Sequence, residues 1–338
     1  MNDGGVEGQS RTPGLQRSDE FIMLAMKEET GGSPLSRELN LISGLKVKRS
    51  EPMARYTSMK VGGPADYFIE VETEQALPRL LTLLQRYDSA FYLLGNGSNV
   101  LISDRGIPGA VLRLAGEFKS AEWREDGRTV WLRVGAAYVV TQLVREAARK
   151  GYGGLEFAEG IPGTVGGALV MNAGAYGSEI EKVVERVEGV TRQGKAIRLA
   201  RAEMTFTYRD SHLPEGTVVT RVEMRLYKDE AARVKSKVDE LVSKRKSSQP
   251  SGFANSGSMF RNPPGDFAGR LIEAAGLKGK RLGQSQISER HANFIVNLGG
   301  AKAEDVRELM ELARSEVKRQ FGIELVPEVR LIGDWPSR

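Results

Sequence analysis

Five segments of the chain carry residue types whose spacing could do chemistry. Residues 94–100 read Leu-Gly-Asn-Gly-Ser-Asn-Val. Gly95 and Gly97 allow positive φ, so successive backbone N–H groups can converge on an anion, and Asn96, Ser98 and Asn99 add side-chain donors. The third glycine of a strand-to-helix dinucleotide fingerprint is missing, and Val100, Leu101 and Ile102 continue as a strand. Taken alone, the segment is explained at least as well by an Asn-Gly hairpin turn. Residues 160–167, Gly-Ile-Pro-Gly-Thr-Val-Gly-Gly, lead into 171–177, Met-Asn-Ala-Gly-Ala-Tyr-Gly. Glycine at this density lets backbone pass close to something flat or bulky. Tight packing of small residues is the plainer reading, and it weakens because two separate loops share the property.

The other three segments carry single side chains. Arg209, in Tyr-Arg-Asp-Ser at 208–211, could clamp a carboxylate or phosphate bidentately, although an arginine in a turn is more often half of a surface salt bridge. Ser258, in Gly-Ser-Met-Phe-Arg-Asn-Pro-Pro at 257–264, precedes a stiff Asn-Pro step, a setting that presents a hydroxyl or caps a turn. No Gly-x-Ser-x-Gly elbow surrounds it. Glu328, in Pro-Glu-Val-Arg at 327–330, is either a buried acid or an edge-strand carboxylate paired with Arg330.

Composition narrows the chemistry. The 338 residues include no cysteine and two histidines, His212 and His291. Disulfides, cysteine-ligated metals and thiol nucleophiles are excluded, and no metal site is expected. Redox chemistry must therefore come from an organic cofactor. The 49 Lys+Arg and 44 Asp+Glu are mixed along the chain, for a net charge of +5. The densest basic cluster, 244–246, lies in a helical pattern. It reads as a solvated helix face or, more sharply, as a site for a phosphate-bearing small ligand. A nucleic-acid surface would need more one-sided charge and interleaved aromatics, so no nucleic-acid partner is expected. No run approaches the ~18 apolar residues of a membrane helix. The apolar patch 21–26 is too short for a signal segment and runs straight into Glu28 and Glu29, so no membrane insertion and a cytoplasmic location are expected.

These segments need a scaffold, and periodicity predicts an α+β one. The length points to two or three domains. Residues 1–40 read as a mobile extension, with order beginning near Leu41. Strands are expected at 68–71, 91–94, 100–102, 111–114, 129–134, 187–191, 196–199, 218–227, 293–298 and 329–332. Thr73 is expected to cap a helix bearing Leu77, Leu80, Leu81 and Leu84 on one side. Further helices are expected near 138–151, 231–246 (with Val234, Val238, Leu241 and Val242 inward) and 267–275. The last, from about 303, carries Val306, Leu309, Met310, Ala313 and Val317 and stops at Gly322.

Residues 56–66, Tyr-Thr-Ser-Met-Lys-Val-Gly-Gly-Pro-Ala-Asp, precede the five segments, and all six follow one another in a fixed order. That series closely resembles the UDP-N-acetylenolpyruvoylglucosamine reductase (UDP-N-acetylmuramate dehydrogenase) family of bacterial peptidoglycan-precursor enzymes, from about Tyr56 to Gly333. The resemblance implies a three-domain flavoprotein of the vanillyl-alcohol-oxidase-like, PCMH-type FAD-binding superfamily. Residues 41–113, completed by 323–338, would form the first FAD-binding subdomain and 114–228 the second, with 229–322 as a smaller α+β substrate domain. It implies that Gly95, Asn96, Gly97, Ser98 and Asn99, with Gly160, Ile161, Pro162, Gly163, Gly166 and Gly167, hold FAD. Neither loop has the His or Cys that links flavin covalently in some relatives, so the FAD should be non-covalent. Arg209, Ser258 and Glu328 fall on the family's three catalytic positions. Tyr176, Arg245, Arg261 and Asn262 match positions near the UDP-sugar.

The implied activity is NADPH-dependent reduction of UDP-N-acetylglucosamine enolpyruvate to UDP-N-acetylmuramate. The absence of an insert between Tyr227 and Ala231 matches the shorter, type II subtype. Two alternatives are another FAD-dependent oxidoreductase of the superfamily and a non-enzymatic flavin- or nucleotide-binding relative. The sequence carries no signal for oligomeric state.

Overall fold

The computed structural model describes residues 33–337. Its first element lies inside the segment expected to be a mobile extension. In α1 (Pro34–Leu39), Ser33 Oγ accepts a bond from Ser36 N, and Leu35 and Leu39, one turn apart, bury their side chains. Order therefore starts before Leu41, because these leucines join the main core; residues 1–32 of the expected extension lie outside the described residues.

Five strands follow: β1 (Leu45–Pro52), β2 (Pro64–Val71), β3 (Phe91–Leu93), β4 (Val100–Ile102) and β5 (Ile107–Leu114). Four of them form a sheet in the order β1-β2-β5-β3, with β2, β5 and β3 parallel. Between β2 and β3, α2 (Ala76–Arg86) buries Leu77, Leu80, Leu81 and Leu84, the leucines that its periodicity placed inward. Thr73 does not cap it. Gln75 stands at the cap without a side-chain bond, and Ala76 N donates to the Thr73 carbonyl. The Thr73 side chain instead packs tightly over Gly44. The remaining strand, β4, pairs in parallel with the last strand of the chain, β18 (Arg330–Ile332).

The second sheet is antiparallel. It contains β6 (Ala121–Asp126), β7 (Thr129–Gly135), β11 (Val184–Val190), β12 (Ala196–Ala200) and β13 (Val218–Lys228), in the order β12-β11-β13-β7-β6. A short strand, β8 (Tyr152–Gly153), also pairs with β13. Along β7, Val130, Leu132 and Val134 are buried at every second position, as period-two sequence requires. Besides β8, the link from β7 to β11 carries α3 (Val140–Lys150), α4 (Val165–Val170) and the hairpin of β9 (Gly174–Ala175) with β10 (Ser178–Glu179). The third unit follows α5 (Ala231–Ser248). Its small sheet, ordered β14-β17-β16-β15, comprises β14 (Ala254–Asn255), β15 (Arg281–Leu282), β16 (Ser285–Ile287) and β17 (Ile295–Asn297). It packs with α6 (Ala268–Ala274) and α7 (Ala303–Phe321), and α7 stops at Gly322, whose φ of +71° ends the helix as expected. The architecture is the expected α+β mixture. No helix among the described residues is long and apolar enough to cross a membrane.

The cores do not follow chain order. One buried cluster runs continuously from Ile69, Leu80 and Leu112 of the first sheet layer to Leu132, Leu143 and Val222 of the second. Another fills the third unit, yet it includes Met59, Val61 and Leu101 from the N-terminal part. A smaller one, with Phe68, Leu94, Ile102 and Val111, lies on the other side of the first sheet.

Candidate active site

Where β3 ends, Leu94 N still bonds the Leu112 carbonyl at 2.8 Å. Beyond it, the backbone N–H groups of Gly95, Asn96, Gly97, Ser98 and Asn99 donate to nothing among the described residues. Successive unpaired donors in partly buried chain call for an external acceptor. The loop is built for this. Gly97 has φ +61°, and a Cβ there would overlap the Tyr56 carbonyl oxygen, so only glycine fits. The hairpin-turn reading is set aside because β3 and β4 belong to different sheets.

The two glycine loops close on each other. Ser98 Oγ donates to the Pro162 carbonyl at 2.6 Å, and a Cβ on Gly95 would lie 2.7 Å from Thr164 Oγ1. Thr164 in turn caps α4 by accepting from Gly167 N. The N–H groups of Gly160 and Gly163 also lack acceptors among the described residues. Gly166 has a packing reason instead: its N–H bonds the Ala136 carbonyl, and a Cβ would lie 2.9 Å from Ala136 Cβ. The paired loops thus offer an uncharged amide cradle that fits a diphosphate. Pro162 is exposed and Ile161 half-buried at its rim.

Three residues far apart in the chain meet beside this cradle. The tight turn from Thr207 to Asp210 holds Arg209 at φ +63°. Its Nε donates to Glu328 Oε1 at 2.9 Å, its second terminal nitrogen donates to the Gly174 carbonyl at 3.4 Å, and its guanidinium lies 4.8 Å from the Tyr208 ring. The two side chains are only 19% and 15% exposed, so this is not a surface salt bridge. Glu328 chooses Arg209 rather than Arg330. Burial pushes its carboxyl up, while the charges of Arg209 and Arg261 pull against the shift.

Backbone bonds put the segment that carries Ser258 beside the segment that carries Glu328. Glu328 N donates to the Met259 carbonyl at 2.8 Å, and Arg261 N to the Val326 carbonyl at 2.9 Å. Asn293 locks the other edge: Met259 N bonds its carbonyl, Phe260 N bonds its Oδ1, and its Nδ2 bonds the Phe260 carbonyl. Ser258 is half-buried, and its hydroxyl makes no hydrogen bond among the described residues. Open space faces Gly257, where a Cβ would meet nothing within 4 Å. Asn99 joins cradle to acid, its Nδ2 donating to the Glu328 carbonyl at 3.1 Å while Arg330 N donates to its own carbonyl. Its side chain is therefore committed to protein, unlike the free donor expected of it.

Around this centre, Tyr176 sits at the tip of the β9–β10 hairpin with φ +55° and donates to the Leu241 carbonyl of α5 at 3.2 Å. Arg245, also on α5, packs against Gly160 and donates to Gln249 Oε1 at 2.9 Å. Burial pulls its guanidinium below the ordinary value. Arg261 Nε is buried without a hydrogen-bond partner among the described residues. Asn262 Oδ1 accepts from Ala268 N at the start of α6, so half of its amide is structural. Asn293 and Thr164 were not singled out from the sequence. Thr164 lay within a marked loop, whereas nothing local identifies Asn293.

Comparisons with known proteins bear on the fold and the family. Residues 65–200 match the FAD binding domain family, a range that holds both glycine loops of the cradle and every strand of the second sheet except β13. Fold and cradle together define a flavin-binding α+β protein. Residues 249–332 match the C-terminal domain of UDP-N-acetylenolpyruvoylglucosamine reductase. The chain is 46% identical over 308 residues to UDP-N-acetylenolpyruvoylglucosamine reductase 2 of Symbiobacterium thermophilum, spanning 90% of this chain and 98% of that protein. It is 43% identical over 290 residues to the reductase of Rubrobacter xylanophilus, spanning 85% and 96%. The crystal structure of the reductase from Thermus caldophilus superposes with a TM-score of 0.74 at 41% identity, covering 85% of this chain and 99% of that one. The chain belongs to the UDP-N-acetylenolpyruvoylglucosamine reductase family.

Proposed function

We propose that the chain reduces UDP-N-acetylglucosamine enolpyruvate to UDP-N-acetylmuramate with NADPH, using FAD, in peptidoglycan precursor synthesis. The observation that carries this reading is the Arg209–Glu328 pair, 2.9 Å apart, on backbone bonded to the residue after Ser258. Residues 41–113 with 323–338, and 114–228, form the flavin-holding part, and 229–322 receives the UDP-sugar. The free amides of residues 95–99, with those of Gly160 and Gly163, suit the FAD diphosphate, and neither loop offers a Cys or His for covalent attachment. When bound, FAD supplies the two-electron carrier between NADPH and the enolpyruvyl double bond.

The protein's task is to handle the charge and the proton. Hydride addition at the vinyl carbon pushes negative charge into the substrate carboxylate. Arg209, fixed by Glu328 and the Gly174 carbonyl, opposes that charge. Glu328, whose carboxyl burial pushes toward the neutral form, adds a hydrogen bond to the same oxygens when it carries its proton. Ser258, whose hydroxyl has no partner among the described residues, gives its proton to the adjacent carbon. An unassisted serine is a weak acid, so the basicity of the intermediate drives this transfer. Arg261 Nε, Asn262 Nδ2, Arg245 and Tyr176 are the groups for the nucleotide-sugar. A cytoplasmic location goes with this reading, because NADPH is found there.

The test is Ser258→Ala in stopped-flow flavin absorbance. Reduction by NADPH stays near the native rate, while reoxidation by the enolpyruvyl substrate slows on the order of 10²-fold or more. Normal reoxidation would remove the role of Ser258. A colourless protein without NADPH oxidation would remove the whole reading.

A further inference from the structure

We infer that Asn172 is a positioning residue that sets Arg209 for the proton-transfer half of the reaction; the inference rests on the role proposed for Arg209. Asn172 is fully buried and has φ +37°, a left-handed conformation that asparagine tolerates better than other non-glycine residues. Its amide is saturated. Oδ1 accepts from Glu181 N at 3.2 Å, and Nδ2 donates to Glu179 Oε2 at 2.9 Å and to the Thr207 carbonyl at 3.2 Å.

Those partners lie on the two segments that grip Arg209. Thr207 opens the turn in which Arg209 sits, and its carbonyl also accepts from Asp210 N. Glu179 and Glu181 belong to the β9–β10 hairpin region, and the Gly174 carbonyl of that hairpin receives the far end of the Arg209 guanidinium. Asn172 therefore sets the distance between the turn that carries Arg209 and the hairpin that receives it. Ser211 Oγ, which donates to the Val170 carbonyl at the end of α4, ties the chain just after the turn to the segment that leads into Asn172. Nothing in the flavin cradle bonds Asn172, so its influence should fall on Arg209 rather than on flavin binding.

The two donor functions of Nδ2 can be separated. In Asn172→Asp, an acceptor faces both the Glu179 carboxylate and the Thr207 carbonyl. Adding Glu179→Gln restores a donor–acceptor pair with residue 179 but leaves an oxygen opposed to the Thr207 carbonyl. The purified N172D/E179Q flavoprotein is compared with native protein, N172D and R209K for flavin content, melting temperature, reduction by NADPH and reoxidation by the enolpyruvyl substrate.

The expected result is native flavin content and NADPH reduction in the double variant, with reoxidation slowed about tenfold to a hundredfold, as an ångström-scale misplacement produces. R209K should slow reoxidation by a similar factor in the native background and add less than about threefold in the double variant. Reoxidation within about twofold of native in the double variant, with R209K still slow, would overturn the inference while leaving the proposed function intact. Loss of flavin and of both half-reactions in the double variant would also overturn it, because Asn172 would then be structural. Normal reoxidation in R209K would overturn the role of Arg209 and the inference with it.

Discussion

Glu328 shows how one residue collects opposing forces. Burial favours its neutral form, whereas Arg209 and Arg261 favour its charged form, and burial prevails. The sign has two consequences. The native chain holds a proton that the unfolded chain releases in the ordinary carboxylate range. Stability from this group is therefore full below that range and falls as pH rises through the raised value. Substrate-driven reoxidation should fall over the same upper window as Glu328 ionises and ceases to donate. In Glu328→Gln the side chain remains a donor at every pH. We expect that limb to vanish from the pH profile of reoxidation, measured by stopped flow, while the NADPH limb keeps its shape.

Among the elements, α7 has a donor-rich start whose cap comes from elsewhere in the chain. Lys302 stands at its cap position without a side-chain bond. Asp104 instead reaches across from the loop after β4, its two carboxylate oxygens accepting from Ala303 N and Glu304 N at 3.0 Å each. An anion is favoured there by the helix dipole and the unpaired N–H groups. Asp104→Ala should cost about 1 kcal/mol, read as a lowered urea midpoint, because it removes a cap. An unchanged midpoint would show that water replaces the carboxylate at no cost. The elements also show why some strands were not anticipated. Both β1 and β6 are edge strands, mostly exposed and rich in Lys, Arg and Glu, so alternation that would betray a buried face is weak.

For the whole molecule, the decisive feature is that the two larger cores are each shared between units. Leu101 lies on β4 yet packs in the cluster of the third unit with Phe260, Ile295 and Val306. Asn297 Nδ2 crosses the same boundary to the Met59 carbonyl at 2.9 Å. Leu101 is fully buried, so Leu101→Ala should cost roughly 2–5 kcal/mol. Because the third unit and the first sheet layer meet there, flavin release and loss of secondary structure should shift together to lower urea. Two separated transitions, with only one of them moved, would contradict the shared core.

Local physics made much of this molecule legible in its sequence. The leucine period of α2, the apolar face of α7 and the glycine that ends it depend on residues within a turn or two of each other. So does the run of small residues that leaves the amides of 95–99 open. The order of the motifs was enough to bring Arg209, Ser258 and Glu328 onto one list. Only the tertiary structure decided what each of them touches. Glu328 had a charged neighbour at Arg330 but pairs with Arg209, 119 residues away. Asn99 looked like a free donor, yet its amide is spent on the Glu328 carbonyl, 229 residues away. Those choices follow from the parallel pairing of β4 with β18 and from the lock that Asn293 places on the Ser258 segment. Each closes a long loop, and a side chain's partner across such a loop depends on strand register and core packing, not on the residues beside it in the chain.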